Sequence, residues 1–177
     1  MKKQWTVTDA LRHSRHDWLN RLQLIKGHLS LGQMERVGEL IERFVAESQS
    51  EARLMSLKLP LFTELLLTYS WEKHPCVLEY EVLGHIHNVS HMDESITNWS
   101  EQFIHVLNLC LDTYVENHLS VTIECKEKDV CFFFDFRGKL IDRERLEHWL
   151  ANVEETLLEI SYTCTEEEVS IELKERK

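Results

Sequence analysis

The sequence predicts an α+β protein in two parts: a helical hairpin over residues 1–58 that pairs with a second copy into a four-helix bundle, then an α/β sandwich over residues 59–177. Three observations carry this reading. Apolar residues recur at helical spacing up to Met55, whereas runs of period two alternate with helical stretches after Pro60. The charge also changes sign there: Lys and Arg outnumber Asp and Glu ten to seven in residues 1–58 and are outnumbered ten to twenty-four in residues 59–177.

The first helix is predicted from Val7 to about Leu31, where Val7, Leu11, Trp18, Leu22, Ile25 and Leu29 form an amphipathic stripe. Thr6 or Thr8 suits its N-cap, Asp9 suits the positive end of the helix dipole, and Gly32 suits the C-cap. Val37, Ile41, Phe44, Ala52 and Met55 outline a second helix. Two antiparallel helices cannot enclose a core, so a second copy is expected to cover both stripes, unless residues 59–177 do so instead. Pro60 marks the boundary, and a short helix follows from Leu61 to Trp71. A strand is predicted at 77–83, a helix from Ser95 to about Asn117, a hairpin of 121–125 with 130–136, a helix from Ile141 to Leu158, and a second hairpin of 160–164 with 169–173. Strand pairs interleaved with helices place the helices on one face of a mixed sheet.

Composition excludes several classes. No run approaches the roughly 18–20 apolar residues of a membrane span, and the amino terminus lacks the apolar stretch of a secretory signal. Five cysteines form no CxxC pair, so free thiols in the cytoplasm are expected. The net charge of −11 argues against a nucleic-acid ligand, while the mildly basic first part suits an acidic protein surface.

The informative stretch is Leu11-Arg12-His13-Ser14-Arg15-His16-Asp17-Trp18-Leu19-Asn20-Arg21-Leu22. At about 100° per residue, His16 points roughly 150° away from the apolar stripe. Asn20 and Gln23 share its face and His13 its shoulder. An exposed, largely neutral imidazole can attack a phosphoryl group presented by another protein and hold it as a phosphoramidate. Asn20 is placed to hydrogen-bond a phosphoryl oxygen, and Asp17 to orient the ring or exchange a proton. Arg12 and Arg15 are placed to neutralise charge, and His13 and Gln23 join them on the surface offered to a partner.

The run His16-Asp17-x-x-Asn20-x-Leu22-x-x-Ile25-x-Gly27-x-Leu29-x-Leu31 resembles the phosphoacceptor box of one class of two-component sensor histidine kinases. More closely, Leu11–Leu31 resembles the corresponding helix of the sporulation initiation phosphotransferase B (stage 0 sporulation protein B) family, and the resemblance extends more faintly over the whole chain. It implies a homodimer whose hairpins form a four-helix bundle, and a phosphohistidine that passes a phosphoryl group from one response regulator to another. His16 matches the phosphoacceptor.

Residues 59–177 resemble the ATPase domain of those kinases in the order of elements. The helix Val106–Glu116 is similar to the family's Asn-box helix, with Asp112 or Thr113 where the magnesium-binding Asn would stand. Asp135-Phe136-Arg137-Gly138 stands where an Asp-x-Gly-x-Gly would bind adenine. Only Gly84 and Gly138 lie beyond residue 59, too few for the close-packed glycine loop that cradles a triphosphate. A degenerate domain without a nucleotide site is expected, acting as scaffold or docking surface, with Phe132–Phe134 in the sheet core. His85, His87 and His91 near Asp93 read as a polar loop rather than a metal site, and Asp112 and Glu116 as surface charge on a helix.

The expected function is therefore phosphotransfer without ATP and without a cofactor of its own, Mg2+ arriving on the partner regulator. The alternatives are an ATP-dependent sensor-type histidine kinase that phosphorylates His16, and a non-catalytic dimeric module that binds response regulators.

Overall fold

The computed structural model describes residues 5–127, 129–153 and 157–176. The chain divides into two units, residues 1–49 and 50–177. The first holds helix α1 (Val7–Ser30) and most of α2 (Met34–Ser56). Thr6 caps α1 through a capping box: the Asp9 amide donates to Thr6 Oγ1 at 3.2 Å and the Thr6 amide to Asp9 Oδ2 at 3.2 Å. Gly32 turns the chain with φ +69°, a conformation L side chains rarely adopt.

No residue of α1 is buried within the single chain. Its half-buried positions are Asp9, Ala10, His13, Arg21, Ile25 and His28, whereas Leu11, Trp18, Leu22 and Leu29 are 66, 54, 55 and 47 % exposed. Of the predicted stripe only Ile25 therefore turns toward the hairpin's own interior. On α2, Val37 and Leu40 are buried and Met34, Ile41 and Val45 exposed. An Arg21–Glu47 ion pair at 2.9 Å joins the two helices, with the Arg21 guanidinium over the rings of Trp18 and Phe44.

The second unit takes in the last residues of α2. Leu54, Leu57 and Leu59 are buried in its core, and Lys58 takes φ +59° to carry the chain into α3 (Pro60–Tyr69). After β1 (Val77–Gly84) a 3-10 turn at Ser90–Met92 leads into α4 (Asp93–Cys110). Then come β2 (His118–Cys125), β3 (Val130–Arg137), α5 (Arg143–Asn152), β4 (Leu158–Cys164) and β5 (Glu168–Glu175). The five-stranded sheet runs β1-β2-β3-β5-β4, parallel only between β1 and β2. Along β2, β3 and β5 one face is buried, by Leu119, Val121, Ile123, Phe132, Phe134, Phe136, Val169, Ile171 and Leu173. Those residues share one core with Phe62, Leu66, Trp99, Phe103 and Leu150 of the helices, so the helices cover a single face.

Two predicted helices are shorter than expected. The first, drawn to Asn117, ends at Cys110, so the Val106–Glu116 run is not one helix, and Asp112 and Glu116 do not share a helix face. Leu111 instead forms a β-bridge with Leu140, and Asp112 Oδ1 accepts from the Tyr114 amide at 3.0 Å. Buried Asn117 then holds the loop, its Nδ2 donating to the Pro75, Asp112 and Val115 carbonyls while its Oδ1 accepts from the Lys139 amide. The second, drawn from Ile141 to Leu158, is α5: Asp142 caps it and Val153 leaves it extended, while the expectation for 154–156 lies outside the described residues. Other boundaries fall close to expectation, the short third helix ending at Tyr69 rather than Trp71.

The outer edge of β1 is occupied. Arg53 donates to the Val82 carbonyl at 2.8 Å and to the Gly84 carbonyl at 2.7 Å, and the Ser50 hydroxyl to the Tyr80 carbonyl at 3.3 Å. The last turns of α2 thus satisfy alternate carbonyls that an edge strand would leave open.

Candidate functional site

His16 lies in the middle of α1, where the helix fixes its backbone and neighbours four residues apart share its face. Its side chain is 72 % exposed. Asn20 Nδ2 stands 3.2 Å from His16 Nδ1, and Asp17 Oδ1 stands 3.5 Å from the same nitrogen. Both contacts fall on Nδ1, and no group of the described chain hydrogen-bonds Nε2. The ring is thus held from one side by its own helix, and its other nitrogen faces outward.

The expected site residues separate into three kinds. Asn20 and Asp17 meet His16 directly, both at the Nδ1 nitrogen of the ring. Arg12 donates to Asp9 in the first turn of α1 at 3.1 Å, and His13 packs edge-on against Trp5, which precedes the helix, at 5.4 Å. Arg15 and Gln23 are exposed and make no hydrogen bond or ion pair among the described residues. A groove of about 450 Å³ continues along α1 past Asn20 and Gln23, lined by Leu24, Gly27, His28 and Leu31.

The Arg21–Glu47 pair beside this turn was not singled out in the sequence. Its only signal there is the Arg43–Glu47 spacing of four, which also forms, at 3.6 Å.

The positions compared with a nucleotide site have partners within the chain. Asp112 pairs with Lys139 at 3.5 Å, and Asp135 accepts from the Ser170 hydroxyl at 2.6 Å. A Cβ on Gly138 would stand 2.2 Å from Asn117 Oδ1, so this glycine admits the Asn117 amide. The segment after β3 is tied to the end of α4 by backbone bonds from Asp112 to Lys139 and from Ile141 to Cys110. Asn108 lies against Tyr69 of α3.

Among the described residues no group of three or more His, Cys, Asp or Glu is gathered to hold a metal ion. His87 turns to the His85 carbonyl and His91 pairs with Glu175 at 3.0 Å. Buried Asp93 accepts the amides of Leu61 and Phe62 at 3.1 and 3.0 Å, capping α3 from a distance in sequence. The five cysteines are free, and burial raises each thiol above its ordinary value, Cys76 to about 12 and Cys164 to about 11. Thiols raised in this way hold their protons, and four of the five are buried. No helix among the described residues is long and apolar enough to cross a membrane.

Comparison with known proteins agrees across the chain. Residues 1–57 match the alpha-helical domain of the sensor kinase SpoOB type, and residues 58–175 match the C-terminal domain of sporulation initiation phosphotransferase B. Sporulation initiation phosphotransferase B of Bacillus subtilis (strain 168) is 36 % identical over 165 residues, covering 92 % of this chain and 86 % of the relative. Among solved structures, a bacterial phosphotransferase is 15 % identical with a TM-score of 0.38, covering 97 % of this chain and 98 % of its own. The catalytic domain of the histidine kinase ThkA is 12 % identical with a TM-score of 0.45, covering 71 % of this chain and 92 % of its own. With one model or the other spanning almost every residue and a relative alike over nearly its whole length, the chain belongs to the sporulation initiation phosphotransferase B family.

Proposed function

We propose that this phosphotransferase acts in the cytoplasm as a homodimer, moving a phosphoryl group from the aspartate of one response regulator to the aspartate of a second through a phosphohistidine at His16. The observation that carries the proposal is an outward imidazole whose Nδ1 is engaged by Asn20 and Asp17 while Nε2 is left open.

A half-turn of the Asn20 amide puts its oxygen on Nδ1–H and leaves the lone pair on Nε2. Nε2 then attacks the phosphorus in line: the N–P bond forms as the acyl phosphate O–P bond breaks, and the donor carboxylate departs with the electron pair. The ring becomes a phosphoimidazolium whose charge faces Asp17 and the Asn20 oxygen. A carboxylate of the second regulator attacks the same phosphorus from the other side, and Nε2 leaves as neutral imidazole. Nδ1 keeps its proton throughout, so no base is needed. Alignment and charge neutralisation dominate such a loose transition state; Arg15 supplies positive charge beside it, and Arg12 adds its own on leaving Asp9. Mg2+ is assigned to the acidic pocket of the regulator. The uncovered stripes at heptad spacing, Leu11, Trp18, Leu22 and Leu29 on α1 with Met34, Ile41 and Val45 on α2, support pairing with a second copy.

The test is transfer from a purified phosphorylated regulator beside incubation with labelled ATP alone. Label should pass from the regulator to the wild-type chain as an acid-labile phosphohistidine and should not pass to His16→Gln. Undiminished transfer to that variant, or incorporation from ATP alone, overturns the reading.

A further inference from the structure

Helices α4 and α5 border a cleft of about 550 Å³ that the phosphotransfer chemistry leaves unused, lined by Gln102 and Val106 of α4 and by Arg145, His148, Trp149 and Asn152 of α5. Asn108, Asp112 and Asp135, the positions compared with a nucleotide site, do not line it. Its apolar wall is Trp149, half-buried, with its ring 5.7 Å from that of Trp99 and 6.1 Å from that of Phe103, both fully buried. A ring backed in this way is held by packing and offers its remaining surface to a flat partner.

His148 and Asn152 repeat the spacing of His16 and Asn20 with the opposite outcome. Asn152 Nδ2 stands 3.4 Å from His148 Nδ1, and the same nitrogen donates to the His148 carbonyl at 2.7 Å. A half-turn of this amide would set two oxygens against each other, so its donor stays on Nδ1. His148 Nδ1 therefore accepts, and the neutral ring carries its hydrogen on Nε2. The Asn20 amide has no such second bond among the described residues and is free to turn. Where His16 can offer a lone pair, His148 is set to donate, and its Nε2 makes no hydrogen bond among the described residues.

Arg145 lies three residues before His148 and so shares its face of α5. Its backbone amide donates to the capping Asp142 at 3.1 Å, while its guanidinium makes no hydrogen bond or ion pair among the described residues. Nor does the Gln102 amide. Among the described residues no carboxylate lines the cleft: Glu147 pairs with Arg143 at 3.3 Å, and Glu101 and Glu144, next to lining residues in sequence, are not part of its walls. Glu154 and Glu155 lie outside the described residues. Arg145 belongs to the first turn of α5, toward the positive end of the helix dipole. A guanidinium and an imidazole N–H beside an aromatic wall match an anionic group carried on a ring.

We propose that the α4–α5 cleft binds a small planar organic anion, a carboxylate or phosphate on a flat ring, with its charge on Arg145 and His148 Nε2–H and its ring against Trp149. This role is separate from phosphotransfer at His16 and does not depend on it.

The test titrates the full chain, labelled with nitrogen-15, with benzoate and separately with phenyl phosphate. The readout is the indole N–H signal of Trp149, assigned by its loss in Trp149→Phe. At least one probe should shift that signal saturably, and the stronger of the two tells carboxylate from phosphate. Inorganic phosphate, which lacks the ring, and benzamide, which lacks the charge, should each bind about tenfold more weakly or worse. Arg145→Met and His148→Leu should each weaken binding about tenfold or more, whereas His148→Gln, whose amide returns an N–H near the place of Nε2, should stay within about threefold of wild type. Unchanged melting temperatures check folding. The proposal fails if neither probe moves the signal, if inorganic phosphate or benzamide binds as tightly, if Arg145→Met or His148→Leu leaves the affinity unaltered, or if His148→Gln fares no better than His148→Leu.

Discussion

Leu22→Ala offers a quantitative test of the homodimer. Leu22 keeps 55 % of its surface exposed in the single chain, on a stripe with Leu11, Trp18 and Leu29. Fully burying a leucine stabilises by about 1.5–3 kcal/mol, so covering the exposed half contributes roughly 1 kcal/mol. A two-fold interface uses the residue twice, and the substitution should therefore cost the dimer about 2 kcal/mol. At 1.4 kcal/mol per tenfold, that is a dissociation constant weakened roughly 30-fold. Sedimentation equilibrium over a dilution series measures it directly. The folded single chain should be little affected, because the residue is not part of its interior. A wild-type chain that sediments as a monomer throughout, or a dimer whose dissociation constant Leu22→Ala leaves unaltered, refutes the reasoning.

Asn20→Ala should slow phosphorylation of His16 by roughly tenfold to a hundredfold in single-turnover assays, the scale of a misaligned reacting group, without changing the melting temperature. Gly138→Ala and Gly27→Ala should act in opposite directions in urea denaturation. The first drives a Cβ to 2.2 Å from Asn117 Oδ1 and 2.8 Å from the Phe136 ring, at a cost of about 1–3 kcal/mol. The second enters open space in mid-helix and should stabilise α1 by about 0.5–1 kcal/mol. Alkaline pH should destabilise the second unit through Cys76, whose thiol holds its proton to about 12 in the folded chain against 9.0 ordinarily. Between those values the folded state binds more protons than the unfolded, so stability falls as pH rises, by up to about 1.4 kcal/mol per pH unit for this group. Cys76→Ala should flatten that slope in urea titrations across the alkaline range.

Regular elements were legible in the sequence because their periodicity is local. The 3.6-residue pattern from Val7 to Leu29 and the alternation of Val121, Ile123 and Cys125 each report a face within one turn or one strand pair. The departures come from residues distant in sequence. Helix α4 stops at Cys110 because Leu111 finds Leu140 and Asn117 gathers carbonyls from Pro75 onward, a choice no window around Cys110 contains. Asp93, which looked like a companion of nearby histidines, caps a helix that begins at Pro60. At the site, spacing of four put Asn20 beside His16, and that adjacency holds. Which ring nitrogen Asn20 meets depends on side-chain torsions, which spacing does not encode. Likewise the wheel placed Leu22 and Ile25 on one stripe, whereas the hairpin takes Ile25 inward and leaves Leu22 bare, because the second helix covers only part of the apolar arc.

The hold on His16 has a further consequence for the direction of flow. Its restraints come from residues one and four positions along the same helix, so nothing about them need change between receiving and giving. A carrier that is the same before and after each half-reaction adds no bias of its own. Under the proposed scheme the net current between the two regulators would then follow their relative abundance and the reactivity of their acyl phosphates, and would reverse when that balance is inverted.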